Sequence, residues 1–327
     1  MAAEENDIQG IITNIQHYTI HDGPGIRTEL FFKGCPMRCL WCSNPETLTT
    51  GPQLAVYPKK CLTTQNCGQC LQECPLNGGA PISFRDGELL PVKMARHCAG
   101  CLKCAAACPA EAIAVWGESC TVSRLMDEIL KDRDFYSRSN GGVTFNGGEV
   151  MVQWKFAVIL AEACHEAGVN VCVESALHCA PEHMDAVMSR ADYIIADLKH
   201  MDSATHKTLT GVGNEVVLEN LRGLLRYDKP VVLRTPVVIG YNDDEENIRA
   251  IAAFIKEDLR GRIIQYQLLP YRKMGTEKYA SLGMTYPMED YAPPQREVWE
   301  KRILALRDMA QREFGVPAVA GSNHKWL

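Results

Sequence analysis

The 327-residue sequence has no excess of basic charge: 34 Lys and Arg stand against 40 Asp and Glu, a formal net charge of −6. That excludes broad electrostatic binding to nucleic acid while leaving room for a local basic patch. No apolar run approaches the roughly 18–20 residues needed to cross a bilayer. The opening MAAEENDIQG is acidic and has no apolar core, so it does not read as a signal peptide, and a cytoplasmic protein is expected. There is no HExxH grouping among the nine His and no repeat of solenoid length. With 46% hydrophobic and 23% charged residues, wholesale disorder is excluded as well.

What the chain has in quantity is cysteine. Of its 15, 11 fall between Cys35 and Cys108. A disulfide scaffold would be short and exported, so this density predicts metal ligands. The run Cys98-x2-Cys101-x2-Cys104-x3-Cys108-Pro109 is the bacterial ferredoxin pattern, in which the fourth thiolate reaches the neighbouring cluster. Upstream, Cys61-x5-Cys67-x2-Cys70-x3-Cys74-Pro75 repeats it with a longer first gap. By that cross-over, Cys61, Cys67, Cys70 and Cys108 would hold one [4Fe-4S] cluster, and Cys98, Cys101, Cys104 and Cys74 a second. Two structural zinc sites are the alternative, since C-x2-C pairs also bind zinc. Cys35-x3-Cys39-x2-Cys42 differs: three thiolates with no nearby fourth leave one iron of a cubane open to a non-protein ligand. Cys120, Cys164, Cys172 and Cys179 lack ligand spacing and read as small core residues.

Outside the window, apolar runs alternate with helical patterns. Leu30–Phe32, Val143–Phe145, Val171–Val173, Tyr193–Ala196, Val231–Leu233 and Ile263–Leu269 read as six strands. Helical patterns between them predict crossovers and a parallel sheet. Each strand meets a charged or glycine-rich stretch at its C-terminal end, where (β/α) barrels build their sites. Six strands predict a partial, open barrel. Residues 56–112 break the alternation and read as an insert. The acidic run Asp243–Glu246 reads as a first helical turn.

The segment from Cys35 to Cys42, with Trp41 before the last cysteine, resembles the radical S-adenosylmethionine (SAM) superfamily. His21-Asp22-Gly23-Pro24-Gly25-Ile26-Arg27-Thr28 narrows the resemblance to glycyl-radical-enzyme activating enzymes, relatives of pyruvate formate-lyase activase. Gly147-Gly148-Glu149, Asp197-Leu198-Lys199 and Leu269-Pro270-Tyr271 extend it, and the two ferredoxin runs resemble the subgroup with a two-cluster insert. The resemblance implies an α/β fold: a partial (β/α)6 radical SAM barrel (1–55 and 113–327) interrupted by a ferredoxin-like iron–sulfur domain (56–112). It implies an oxidoreductase with three [4Fe-4S] clusters and SAM, and a monovalent cation is a further candidate. A glycyl radical enzyme (lyase, dehydratase or decarboxylase) would be its protein substrate, and a flavodoxin or ferredoxin-type protein its electron donor.

The same resemblance assigns site roles. Cys35, Cys39 and Cys42 would hold the catalytic cluster, with Trp41 beside it. Gly147 and Gly148 would let the backbone approach the methionine end of SAM, and Glu149 would accept from its amino group; a simple strand-to-helix turn is the alternative for the glycines. Asp197 would border a cation site and Lys199 would contact SAM. Glu174 and Ser175 fall where the family has an acidic and a small hydroxyl residue, Glu174 being one methylene longer than Asp. Arg234 would neutralise the SAM carboxylate, or else form a buried salt bridge. Arg272 replaces a family His and is expected to act by charge alone. Arg27 would contact the partner loop or brace its own segment, with a surface salt bridge as the third option. An iron–sulfur electron carrier and a peptide-maturing radical SAM enzyme are the competing functions. The first needs no open iron, and the second does not require the Asp22–Arg27 segment.

Overall fold

The computed structural model describes residues 8–76, 82–91 and 100–322. Among them the chain forms thirteen strands. β1 (Gly10–Thr19) and β2 (Arg27–Phe32) pair antiparallel across the glycine-containing turn at residues 20–26. β3 (Gln53–Val56) follows, then the short hairpin of β4 (Phe84–Arg85) and β5 (Glu88–Leu89), then β6 (Ile113–Trp116), which returns to pair with β3. β7 (Glu118–Cys120) closes on β1.

The remaining strands are β8 (Gly142–Gly147), β9 (Asn170–Ser175), β10 (Tyr193–Asp197), β11 (Val231–Val237), β12 (Gln265–Pro270) and β13 (Ala318–Ala320). One nine-stranded sheet runs in the order β13-β12-β11-β10-β9-β8-β2-β1-β7. From β2 to β13 every pairing is parallel. The six expected strands are thus present as β2 and β8–β12. A seventh parallel strand, β13, was not visible because three residues of Ala-Val-Ala carry no periodicity. β1 and β7 add an antiparallel edge, so the sheet is mixed.

The parallel strands read as unbroken apolar runs because both of their faces are covered. Helices Trp154–Glu166, Pro181–Met188, Glu215–Gly223, Glu245–Glu257 and Arg296–Phe314 supply the outer layer. The acidic run does open a helix: Asp244 is the N-cap and accepts from the Asn247 amide at 2.7 Å. Phe145, Leu160, Ile194, Leu233, Ile251 and Leu306 belong to the one large core. Cys120, Cys164 and Cys172 are buried and Cys179 is half-buried. No helix among the described residues is long and apolar enough to cross a membrane.

Between β3 and β6 the chain leaves the sheet and builds a second, small core from Val56, Cys70, Ile82, Leu89, Cys104, Ala112 and Ile113. Since β3 and β6 form a two-stranded sheet of their own, this region is rooted at one place.

Candidate active site

Parallel pairing in register brings the C-terminal ends of β2, β8, β9, β10, β11 and β12 to one side of the sheet, so that residues far apart in sequence meet. The loop leaving β2 carries Cys35, Cys39 and Cys42. It is pinned by backbone bonds: Arg38 and Leu40 amides donate to Thr210 and Leu209 carbonyls (2.7 and 3.0 Å), and Gly34 donates to Thr47 (2.7 Å). All three thiols are unbridged. Burial pushes Cys35 up to about 12, with Glu149 and the other two sulfurs adding to the effect. Burial likewise raises Cys39 to about 12, against the pull of Lys199. Three half-buried thiols on one loop beside an ammonium group are a donor set that suits an iron–sulfur cluster, whose cationic metal would hold them as thiolates.

Lys199 forms an ion pair with Asp197, Nζ to Oδ2 at 2.7 Å, with both side chains largely buried. Burial alone would lower the Lys199 ammonium. Asp197 and the Cys39 and Cys35 sulfurs outweigh it and hold the group above its ordinary value. Asp197 and Lys199 therefore share one site with the cysteines, as strand alternation required.

Gly147 and Gly148 are explained by backbone crowding. Gly147 has φ +118°, and a Cβ there would stand 2.4 Å from the Phe32 amide nitrogen; at Gly148 one would meet the Gly34 carbonyl at 2.3 Å. The turn packs directly on the cysteine loop, since the Gly148 and Glu149 amides donate to Phe32 and Gly34 carbonyls (2.9 and 2.8 Å). Glu149 is buried and accepts from Ser175 Oγ (2.7 Å) and the amides of Met151 (3.2 Å) and Ala176 (3.0 Å). Burial raises its carboxyl in spite of these donors.

Arg234 is 2% exposed and commits four of its five N–H donors. Nη1 meets Asp22 and Glu174, each at 2.8 Å; Nε donates to Gln267 (2.8 Å) and Nη2 to the His21 carbonyl (2.6 Å). The buried salt bridge is thus present, and a single N–H is left for any ligand. Arg27 commits all five donors: Nε to Thr144 (2.7 Å), Nη1 to Pro24 and Asn170, and Nη2 to Val143 and Asn170. It is fully buried, so it braces the Asp22–Arg27 segment and neither touches a partner loop nor forms a surface salt bridge.

Glu29 escaped notice in the sequence, although a charged residue two places after Arg27 inside an apolar strand was a signal that both point to one face. Its carboxylate oxygen lies within 4.8 Å of those of Asp22 and Glu174, and Asn146 donates to it. Burial, and next the charges of Asp22 and Glu174, push Glu29 up to about 8, with Arg234 opposing. Burial likewise pushes Glu174 up to about 7. Because the folded value lies above 4.5, Glu29 stabilises the fold fully below that value, and the stabilisation is lost as pH rises toward about 8. We expect thermal unfolding to shift to lower temperature between pH 6 and 8.5, by at most about 1.4 kcal/mol per pH unit for one proton. Glu29→Gln should flatten that slope; an equally steep slope in the variant refutes the assignment.

A cavity of about 600 Å³ opens beside this cluster, lined by Asp22, Glu29, Ser43 and Asn44 and rimmed by Tyr18, Ile20 and Met274. Those three rim residues are 58%, 62% and 57% exposed. Trp41 is buried in an apolar cluster with Leu209, Val238, Tyr279 and Tyr286, against which Cys39 also packs. Arg272 is exposed at the end of β12 and joins no hydrogen bond or ion pair among the described residues.

In the second region, Cys61, Cys67, Cys70 and Cys108 line one apolar pocket. Burial raises the Cys70 thiol, followed by the influence of Cys108, Cys61 and Cys67. Cys104 is buried, Cys74 half-buried and Cys101 exposed, while Cys98 lies outside the described residues.

Residues 97–251 match the radical SAM superfamily and residues 21–94 a 4Fe-4S single cluster domain. The chain is 42% identical to the (2S)-3-sulfopropanediol dehydratase activating enzyme of Klebsiella oxytoca, over 97% of this chain and 98% of that one. It is 41% identical to the isethionate sulfite-lyase activating enzyme of Desulfovibrio desulfuricans, over 86% and 88%. Identity to the 4-hydroxyphenylacetate decarboxylase activating enzyme of Clostridioides difficile is 33%, over 94% and 95%.

Proposed function

The chain belongs to the radical SAM activating enzymes of glycyl radical enzymes, and from that premise we propose how its residues are used. The activity is reductive cleavage of SAM to a 5′-deoxyadenosyl radical, which takes a hydrogen from a glycine of a partner glycyl radical enzyme. The convergence of Cys35, Cys39 and Cys42 beside Lys199 carries the site assignment. In this reading those three thiolates would hold a [4Fe-4S] cluster, which when bound would supply the electron and an anchoring point for SAM.

The chain's own residues then position and exclude. Lys199 and the free N–H of Arg234 offer cations to a carboxylate. The turn of Gly147 and Gly148 keeps the wall thin, and Glu149, held by three donors, together with Ser175 fixes the end of β9. Asp197 and Glu174 remain the candidate carboxylates for a monovalent cation. Trp41 supports the loop from behind, and Arg272 acts at most as a surface charge. The strand order supports a partial (β/α)6 barrel at 1–55 and 113–327, interrupted at 56–112 by a ferredoxin-like insert. There Cys61, Cys67, Cys70 and Cys108 would hold one [4Fe-4S] cluster and Cys74, Cys98, Cys101 and Cys104 another, bringing the total to three. A flavodoxin or ferredoxin-type protein would deliver the electron.

The partner's glycine loop is assigned to the 600 Å³ cavity. A primary alkyl radical attacks what is nearest, so the glycine must come within van der Waals reach, and a residue without a side chain can do so in a narrow site. Mixing the protein anaerobically with a candidate partner, SAM and reductant should produce a glycyl doublet in the electron paramagnetic resonance spectrum, with one deoxyadenosine per radical. SAM cleavage without a doublet on any candidate partner would turn the reading toward peptide modification.

A further inference from the structure

The segment after Cys42 is clamped by two lysines that the roles above leave unused. Glu46, in a short turn at Pro45–Thr47, is 1% exposed. Its Oε1 lies 2.5 Å from Lys278 Nζ, and its Oε2 has no hydrogen-bond partner among the described residues. Its backbone carbonyl accepts from Lys33. Lys278 also donates to Asn44 Oδ1 at 2.9 Å and stands 5.7 Å from the centre of the Trp116 ring, on β6. Lys33 reaches Gln53, on β3, at 2.8 Å. The short helix Thr276–Ser281 that bears Lys278 is seated on the cysteine loop, for a Cβ on Gly275 would stand 2.2 Å from the Ser43 carbonyl.

A full ion pair is therefore built four residues beyond Cys42, with one carboxylate oxygen uncompensated and the cation held against the root of the insert. In a site of low dielectric, a cation near a redox centre favours the added electron and an anion opposes it. We propose that Lys278 and Glu46 are positioning residues whose opposed charges set the electron affinity of the three-cysteine centre. The inference rests on the assignment of an open-site cluster to Cys35, Cys39 and Cys42.

The test poises the reconstituted wild type and the Lys278→Met, Lys278→Arg and Glu46→Gln variants at one potential, chosen so that about half of the wild-type signal altered by SAM is reduced. Electron paramagnetic resonance reads the fraction reduced. The reduced-to-oxidised ratio should fall by about threefold or more in Lys278→Met, rise by a similar factor in Glu46→Gln and stay near wild type in Lys278→Arg. A mere mechanical clamp would loosen the loop in both single variants, so shifts of the same sign, or none, overturn the proposal. If Lys278→Met fails to load iron, the rise in Glu46→Gln decides alone, and its absence refutes the pair. No SAM-altered signal even in the wild type overturns the cluster assignment, and this inference with it.

Discussion

Replacing Cys35, Cys39 and Cys42 together by Ala is expected to abolish SAM cleavage and remove one third of the iron, from about 12 to about 8 atoms per chain after anaerobic reconstitution. The reason is topological as well as chemical. These thiols sit on the loop leaving β2, whereas the other eight candidate ligands fall in the sequence between β3 and β6, where Cys61, Cys70, Cys104 and Cys108 join a separate small core. Loss of one set should leave the other loaded, because each folds with its own metal. Iron analysis paired with deoxyadenosine detection reads both effects. Residual cleavage in the triple variant would refute the catalytic assignment, and loss of all iron would refute the independence of the two regions.

Arg27→Met should destabilise the protein by about 3–5 kcal/mol, a fall of roughly 5–10 °C in Tm. The substitution keeps much of the apolar stem but deletes every donor to Thr144, Asn170, Pro24 and Val143, leaving buried acceptors unmet. Gly23 was shaped for this side chain: its φ is +128°, and a Cβ would stand 2.7 Å from Arg27 Cδ. With the brace gone, the Asp22 segment loses its seat on β8 and β9, so transfer of the radical to a partner should fall further than SAM cleavage. Calorimetry and the yield of the glycyl doublet measure the two separately. A variant as stable as wild type would remove the bracing role.

Arg27 and Arg234 show where local sequence stops being informative. Arg27 opens β2 and Arg234 follows the apolar run Val231–Leu233, and each invited a role toward a ligand. Only the register of β2 on β8, and of β11 on β10 and β12, shows that one arginine is saturated and the other retains a single donor. Glu46 and Lys278 are separated by 232 positions, so no window of sequence could join them. Glu29 could have been marked as facing inward, but its carboxylate neighbours come from a turn and from β9.

The sequence by itself determined the six parallel strands and the cysteine-rich stretch where their alternation breaks. Three thiolates that wrap one small cluster recur at short spacings, and a strand buried on both faces is written as an apolar run; both are local signals. Tertiary structure alone decided which charges confront each other at the ends of those strands. Pairing of distant side chains depends on crossovers and register, and the low dielectric where they meet gives each pairing its weight.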